Sequence, residues 1–246
     1  MQKWLVKLAS PKFFYQVSGR WLPWLAICSS ALFAYGLIDG LLLVPPDYQQ
    51  GNAFRIIYIH VPSAVMSLTA YVVMAISAAI FLIWKIKLAD VIAKVSAPLG
   101  ASFTLLALIT GSLWGKPMWG TWWIWDARLT SELILLFLYM AIIALRSAIP
   151  EPTQASKASA LLAIIGLVDI PIIHYSVYWW NTLHQQATVL KLSKPSIASE
   201  MLYPLIAMLL AFMLYYLLAL LIAARSEVLA RERQTHWVQE STRTPR

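Results

Sequence analysis

One stretch of this 246-residue chain concentrates residues suited to gripping a flat ligand. It reads Trp114-Gly-Lys-Pro-Met-Trp119-Gly-Thr-Trp122-Trp123-Ile-Trp125-Asp126-Ala-Arg128-Leu-Thr130, and holds five of the chain's twelve tryptophans. Indoles interleaved with Gly115, Pro117 and Gly120 imply a tightly turning backbone that presents broad faces. Such a surface suits a planar, polarisable, largely apolar molecule. The plainer reading is an interfacial aromatic belt, with indoles at headgroup depth. A belt needs a few anchors per interface, however, not five in one connection.

Histidines supply a second kind of chemistry. His60 lies in Ile59-His60-Val61-Pro62, and His184 in Trp179-Trp180-Asn181-Thr182-Leu183-His184-Gln185. They come from different segments, each expected near the depth of the tryptophan loop. Imidazole is a standard iron ligand, and two imidazoles on opposite sides of a flat aromatic cleft are what six-coordinate haem iron requires. A lone histidine at a membrane boundary is more commonly hydrogen-bonded to backbone or water; it is the pairing that favours ligation. His174 reads as a packing or hydrogen-bonding residue, and His236 as a solvated one.

Charged neighbours remain open between two roles. Arg55, five residues before His60, is either within reach of a haem propionate or a snorkelling interface residue. Arg128 either pairs with Asp126 or is available for a ligand carboxylate. Asp126 is a ligand contact or the cap of the helix that follows. Glu132 reads as structural.

The elements that position these residues follow from composition. The chain is 60% hydrophobic and 12% charged, against about 45–50% and 25% in soluble domains. Its mean hydropathy is +0.68. A soluble enzyme, a disulfide scaffold and a disordered regulator are excluded; the chain is an integral membrane protein. Cys28 is its only cysteine, so it has no intramolecular disulfide, redox pair or thioether haem attachment. It contains no G-x-x-x-x-G-K-[ST] motif, so any ATP-driven step belongs to a partner. The net charge of +8 sits in short segments between apolar runs, a pattern that orients a protein in a lipid bilayer and implies no nucleic acid.

Six apolar runs are long enough to span: roughly 22–44, 57–84, 95–114, 129–146, 159–180 and 201–223. Counting Lys and Arg, fourteen fall on one side (Lys3 to Arg20, Lys85 to Lys94, Arg146, Lys157, Arg225 to Arg246). Five fall on the other: Arg55, Lys116, Arg128, Lys191 and Lys194. The positive-inside rule then puts both termini in the cytoplasm and the tryptophan loop outside. The expected architecture is all-α, with six transmembrane helices in one domain over 1–224. Residues 225–246 form a charged cytoplasmic tail, an extension of span six with a frayed end.

With these residues in view, the chain resembles the haem exporter protein C (CcmC) family of system I cytochrome c maturation. Trp114 to Thr130 is similar to that family's tryptophan-rich "WWD" signature. The segments Arg55 to Pro62 and Pro171 to Gln185 match its two histidine-bearing outer segments, and the likeness covers nearly the whole chain except the tail. The resemblance implies haem b bound non-covalently and transiently at the periplasmic face of the bacterial inner membrane. His60 and His184 would be its axial ligands, with Trp114, Trp119, Trp122, Trp123, Trp125 and Asp126 against the porphyrin. It implies delivery to a membrane-anchored periplasmic haem chaperone (CcmE type). It also implies an ABC-type ATPase and permease (CcmA and CcmB type) and a small single-span subunit (CcmD type), the chain itself being no enzyme.

Two other readings compete. A bis-histidine membrane cytochrome linked to quinones would place histidine pairs inside the bundle. A structural subunit or transporter would use the aromatic loop only for packing; Asp39 and Asp169 within the spans keep that reading open.

Overall fold

A computed structural model describes residues 10–184 and 197–242, and among these every regular element is a helix. Six helical stretches are long and apolar enough to cross a membrane, as expected. A short helix α1 (Pro11–Ser18) leads into α2 (Leu22–Ile38), which ends in a π turn over Asp39–Leu43. A 3-10 turn, Asn52–Ile56, opens α3 (Ile57–Trp84). Then follow α4 (Lys87–Trp119), α5 (Ala127–Ala148), α6 (Pro152–Gly166) and α7 (Asp169–Trp179). The last are α8 (Ser199–Arg231) and α9 (His236–Thr242). Lys191 and Lys194 lie outside the described residues.

The boundaries depart from expectation where polar residues are satisfied by partners that hydropathy ignores. The third span starts at Lys87 rather than near 95, carrying Asp90 into the bundle. Asp90 is buried there because Arg146 meets it at 2.6 Å, Arg231 at 2.7 Å and the Ser156 hydroxyl at 3.0 Å. The fifth span starts at Pro152 rather than 159. Glu151 caps it by accepting from the Thr153 and Gln154 amides, and proline suits the first helical position. That span is broken at Leu167–Val168 into α6 and α7, which the apolar run does not signal.

The expected extension of span six beyond Arg225 is present as helix to Arg231, with a turn and then α9 after it, and residues 243–246 lie outside the described residues. α8 continues to Arg231, where Arg231 also meets Glu227 at 2.6 Å and Lys94 meets Glu227 at 2.7 Å. Arg225 donates to the Tyr15 carbonyl and lies over the Tyr15 ring, which packs on Trp237 at 5.7 Å. The first and last described helices therefore meet at one end of the bundle. The tryptophan segment and His184 lie at the other.

One interior relationship matters for that other end. α3 and α4 are joined by only Lys85 and Ile86 and pack along one another as an antiparallel pair. Apolar clusters around Tyr58, Met66, Phe103 and Met208, and around Tyr71, Met74, Leu135 and Ile173, hold the remaining helices against this hairpin.

Candidate functional site

α4 runs further than the apolar run implies, and this changes the tryptophan segment. Gly115 and Pro117 suggest a loop from Trp114 onward, yet the helix persists to Trp119. It stops at Gly120, whose positive φ of 76° lets its N–H close back on the Lys116 carbonyl. Trp114 and Trp119 are thus helical, and the connection to α5 is only Gly120 to Asp126.

This outer turn of α4 forms one wall of a cavity of about 770 Å³, counting its open mouth. Ala107, Leu108, Gly111, Trp114, Gly115, Met118 and Trp119 line it at helical spacing. His60 and Ala64 come from α3, Arg128, Leu129 and Glu132 from α5, Gln50 from the first outer connection, and Leu183 and His184 from the segment after α7.

His60 sits in a fitted seat on α4. Its Nδ1 lies 3.1 Å from the Ala107 carbonyl and 3.2 Å from Thr110 Oγ1. The Thr110 hydroxyl already donates to the Leu106 carbonyl at 2.6 Å. Both neighbours of Nδ1 therefore accept, so Nδ1 carries the proton and Nε2 keeps a lone pair. A metal-binding histidine uses the same arrangement. Gly111 lies against the ring: a Cβ there would stand 3.0 Å from Cε1. Trp114 meets the ring edge-on at 5.7 Å, and its indole N–H donates to Gln50 Oε1 at 2.9 Å.

His184 faces His60 with ring centres 6.3 Å apart and planes inclined by 40°. Trp119 is 6.3 Å from His184 on its other flank. Two imidazole nitrogens bonding one metal from opposite sides at about 2.0–2.1 Å each, with ring atoms roughly 1.1 Å from each ring centre, put those centres about 6.2–6.4 Å apart. The pair therefore has the spacing of two ligands on one metal. Among the described residues no cluster of three or more His, Cys, Asp or Glu side chains could hold a bare ion. Two imidazoles suffice for a metal that brings its own equatorial ligands.

The remaining candidates divide. Arg128 lines the cavity, with Nη1 donating to the Ile173 carbonyl of α7 at 2.6 Å. It does not pair with Asp126. Asp126 caps α5, with Oδ1 accepting from the Leu129 amide at 2.8 Å and Oδ2 accepting from the Thr182 hydroxyl. Trp122 and Trp125 are exposed and outside the lining; Trp123 packs edge-on against Trp125 at 5.5 Å.

Arg55 is not brought to the cavity. Its guanidinium donates to the carbonyls of Gly40 at 2.8 Å and Val44 at 2.7 Å and to Asn52 Oδ1, closing the unwound end of the first span. His174 is exposed rather than packed inside, touching Tyr175 edge-on. Glu132 is buried, as a structural residue should be, with Oε1 accepting from Ser67 at 2.7 Å. It also lines the cavity floor.

Gln50, Thr110, Gly111 and Thr182 went unremarked in the sequence. A helical stripe of small residues, Ala107, Gly111 and Gly115, was the signal available for the α4 wall.

Comparison with known proteins identifies the family. The family described as "Heme exporter protein C" matches residues 4–239, which includes most of the segment beyond Arg225. Among similar proteins is the Heme exporter protein C of Haemophilus influenzae, 48% identical over 244 residues, 99% of each chain. That of Escherichia coli K12 is 49% identical over 240 residues, covering 98% of this chain and 97% of its own. That of Bradyrhizobium diazoefficiens is 46% identical over 239 residues, covering 97% and 90%.

Proposed function

Since the chain belongs to the heme exporter protein C family, we propose that its outer cavity carries haem b as a non-covalent, transient cargo. The observation that carries this reading is the 6.3 Å separation of the His60 and His184 rings beside Trp114 and Trp119. The porphyrin supplies the four equatorial nitrogens, and His60 and His184 supply the two axial ones. His60 binds through Nε2 because Nδ1 is committed to Ala107 and Thr110.

The cavity lining sorts the rest of the cargo by polarity. Trp114, Trp119, Met118 and Leu108 take the apolar macrocycle. Arg128, with one N–H group on Ile173, turns its others to a propionate. The rim of Trp122, Trp123 and Trp125, with Asp126 at its end, borders the mouth from which the cargo leaves.

The excess of Lys and Arg at the end carrying α1 and α9 makes that end cytoplasmic, and the cavity periplasmic, in the bacterial inner membrane. The cargo then passes to a membrane-anchored periplasmic haem chaperone. An ABC-type ATPase and permease and a single-span subunit complete the complex and supply the energy for release. The chain itself acts as a transfer component in c-type cytochrome biogenesis. A quinone-linked cytochrome is less well supported, because the paired rings lie at one end of the bundle and one of them follows a helix end.

The test is an optical spectrum of the purified protein beside His60→Ala and His184→Ala. Wild type shows a low-spin, six-coordinate signature that each variant loses. Normal haem content and an unchanged spectrum in both variants would overturn the reading.

A further inference from the structure

The two histidines sit on different kinds of segment. His60 lies on a helix, with its ring bonded to the facing helix and pressed on Gly111. His184 follows the end of α7, and a chain of hydrogen bonds leads from its backbone to the first turn of α5. Its amide donates to Thr182 Oγ1 at 3.0 Å, and that hydroxyl gives its own proton to Asp126 Oδ2. The directions are consistent, since a hydroxyl donates once and can accept as well. Asp126 spends its other oxygen on the Leu129 amide, so the carboxylate is fixed to α5 while it holds Thr182. Two residues on, Arg128 reaches the Ile173 carbonyl of α7. The start of α5 thus holds α7 at Ile173 and the segment that follows it at Thr182.

We propose that Asp126 and Thr182 are positioning residues that form a latch on His184, making it the releasable axial ligand while His60 stays bound until the cargo leaves. The proposal rests on the haem-cargo reading above. When the latch opens, the His184 nitrogen departs with its electron pair, no electron is transferred, and one coordination position on the iron becomes available. The role of Asp126 is then to orient a ligand, beyond capping a helix. The acceptor is a carboxylate, so the Asp126–Thr182 bond is of the stronger, charge-assisted kind.

The test uses the full-length haem-loaded protein with Thr182→Val, Thr182→Ser and Asp126→Asn, and His184→Gly as the reference for a missing ligand. Asparagine can still cap α5 through its oxygen, but its amide group can only donate to Thr182, so the charge-assisted bond is replaced by a weaker neutral one of reversed direction. Coordination is read from the optical and electron paramagnetic resonance spectra, with and without added imidazole. Release is read as transfer to excess apomyoglobin.

Thr182→Val and Asp126→Asn are expected to retain haem on His60, with a larger five-coordinate share that imidazole returns to six-coordinate. Transfer should be at least about tenfold faster, and Thr182→Ser should match wild type. Two results overturn the latch: wild-type spectra and transfer rates in both variants, or a loss of six-coordination that imidazole does not restore, as a merely structural defect would give. A wild-type protein without a six-coordinate signature defeats the cargo reading itself, and the latch with it.

Discussion

Gly111 lies so close to His60 that a methyl group on it would stand 3.0 Å from the imidazole Cε1 and 3.5 Å from Nδ1. Ordinary contacts of a side-chain carbon are longer, so the ring occupies space that only glycine leaves open. Gly111→Ala should push the ring off its seat by a few tenths of an ångström while α4 stays intact. Haem affinity is expected to fall by about tenfold, with broadened low-spin signals and an unchanged circular dichroism spectrum.

Thr110 shares the Nδ1 proton of His60 with the Ala107 carbonyl. An imidazole whose N–H is hydrogen-bonded is a more basic ligand and favours the ferric state. Thr110→Val removes one acceptor and keeps the other. The midpoint potential of bound haem should rise, on the order of 30 mV for a one-electron couple, as read by spectroelectrochemical titration.

The tryptophans should divide by position. Trp119 flanks His184 and lines the cavity, whereas Trp125 is 75% exposed and outside the lining. Trp119→Ala should speed haem loss to apomyoglobin by at least about tenfold, and Trp125→Ala by no more than about twofold. Equal effects would contradict the placement of Trp119 on the cavity wall.

At the opposite end, Asp90 is a buried anion serving Arg146 and Arg231. Asp90→Asn leaves both cations without a full charge partner where water is scarce. Thermal unfolding in detergent should register a loss of about 3 kcal/mol or more. The haem spectrum should stay as in wild type, because this cluster lies at the far end of the spans.

The count of spans was legible in the sequence because a bilayer demands about 20 apolar residues per crossing. The meeting of His60 with His184 was legible because two outer segments shared a residue type suited to one metal. The course of α4 was not. Gly115 and Pro117 are loop residues by local preference, yet both lie within the helix, whose cavity-facing stripe runs from Ala107 to Trp119. Asp126 offered two roles; its bond to the Leu129 amide is the capping one, while its bond to Thr182 joins segments that spacing does not relate. The partners of Arg55 were not legible for a related reason: nothing local announces that they are carbonyls of Gly40 and Val44 at the end of another span. Charged residues at such ends are placed by long-range partners, which spacing along one chain does not encode.

The two-residue link of Lys85 and Ile86 carries a consequence for biosynthesis. The His60 ring and the Ala107–Gly111 turn that cradles it belong to consecutive membrane segments joined with almost no slack. A ribosome that has just released the third span into the bilayer has already supplied everything this pocket wall requires. Its assembly can begin before His184 has been translated, so the firm side of the grip is the older one in the life of each molecule.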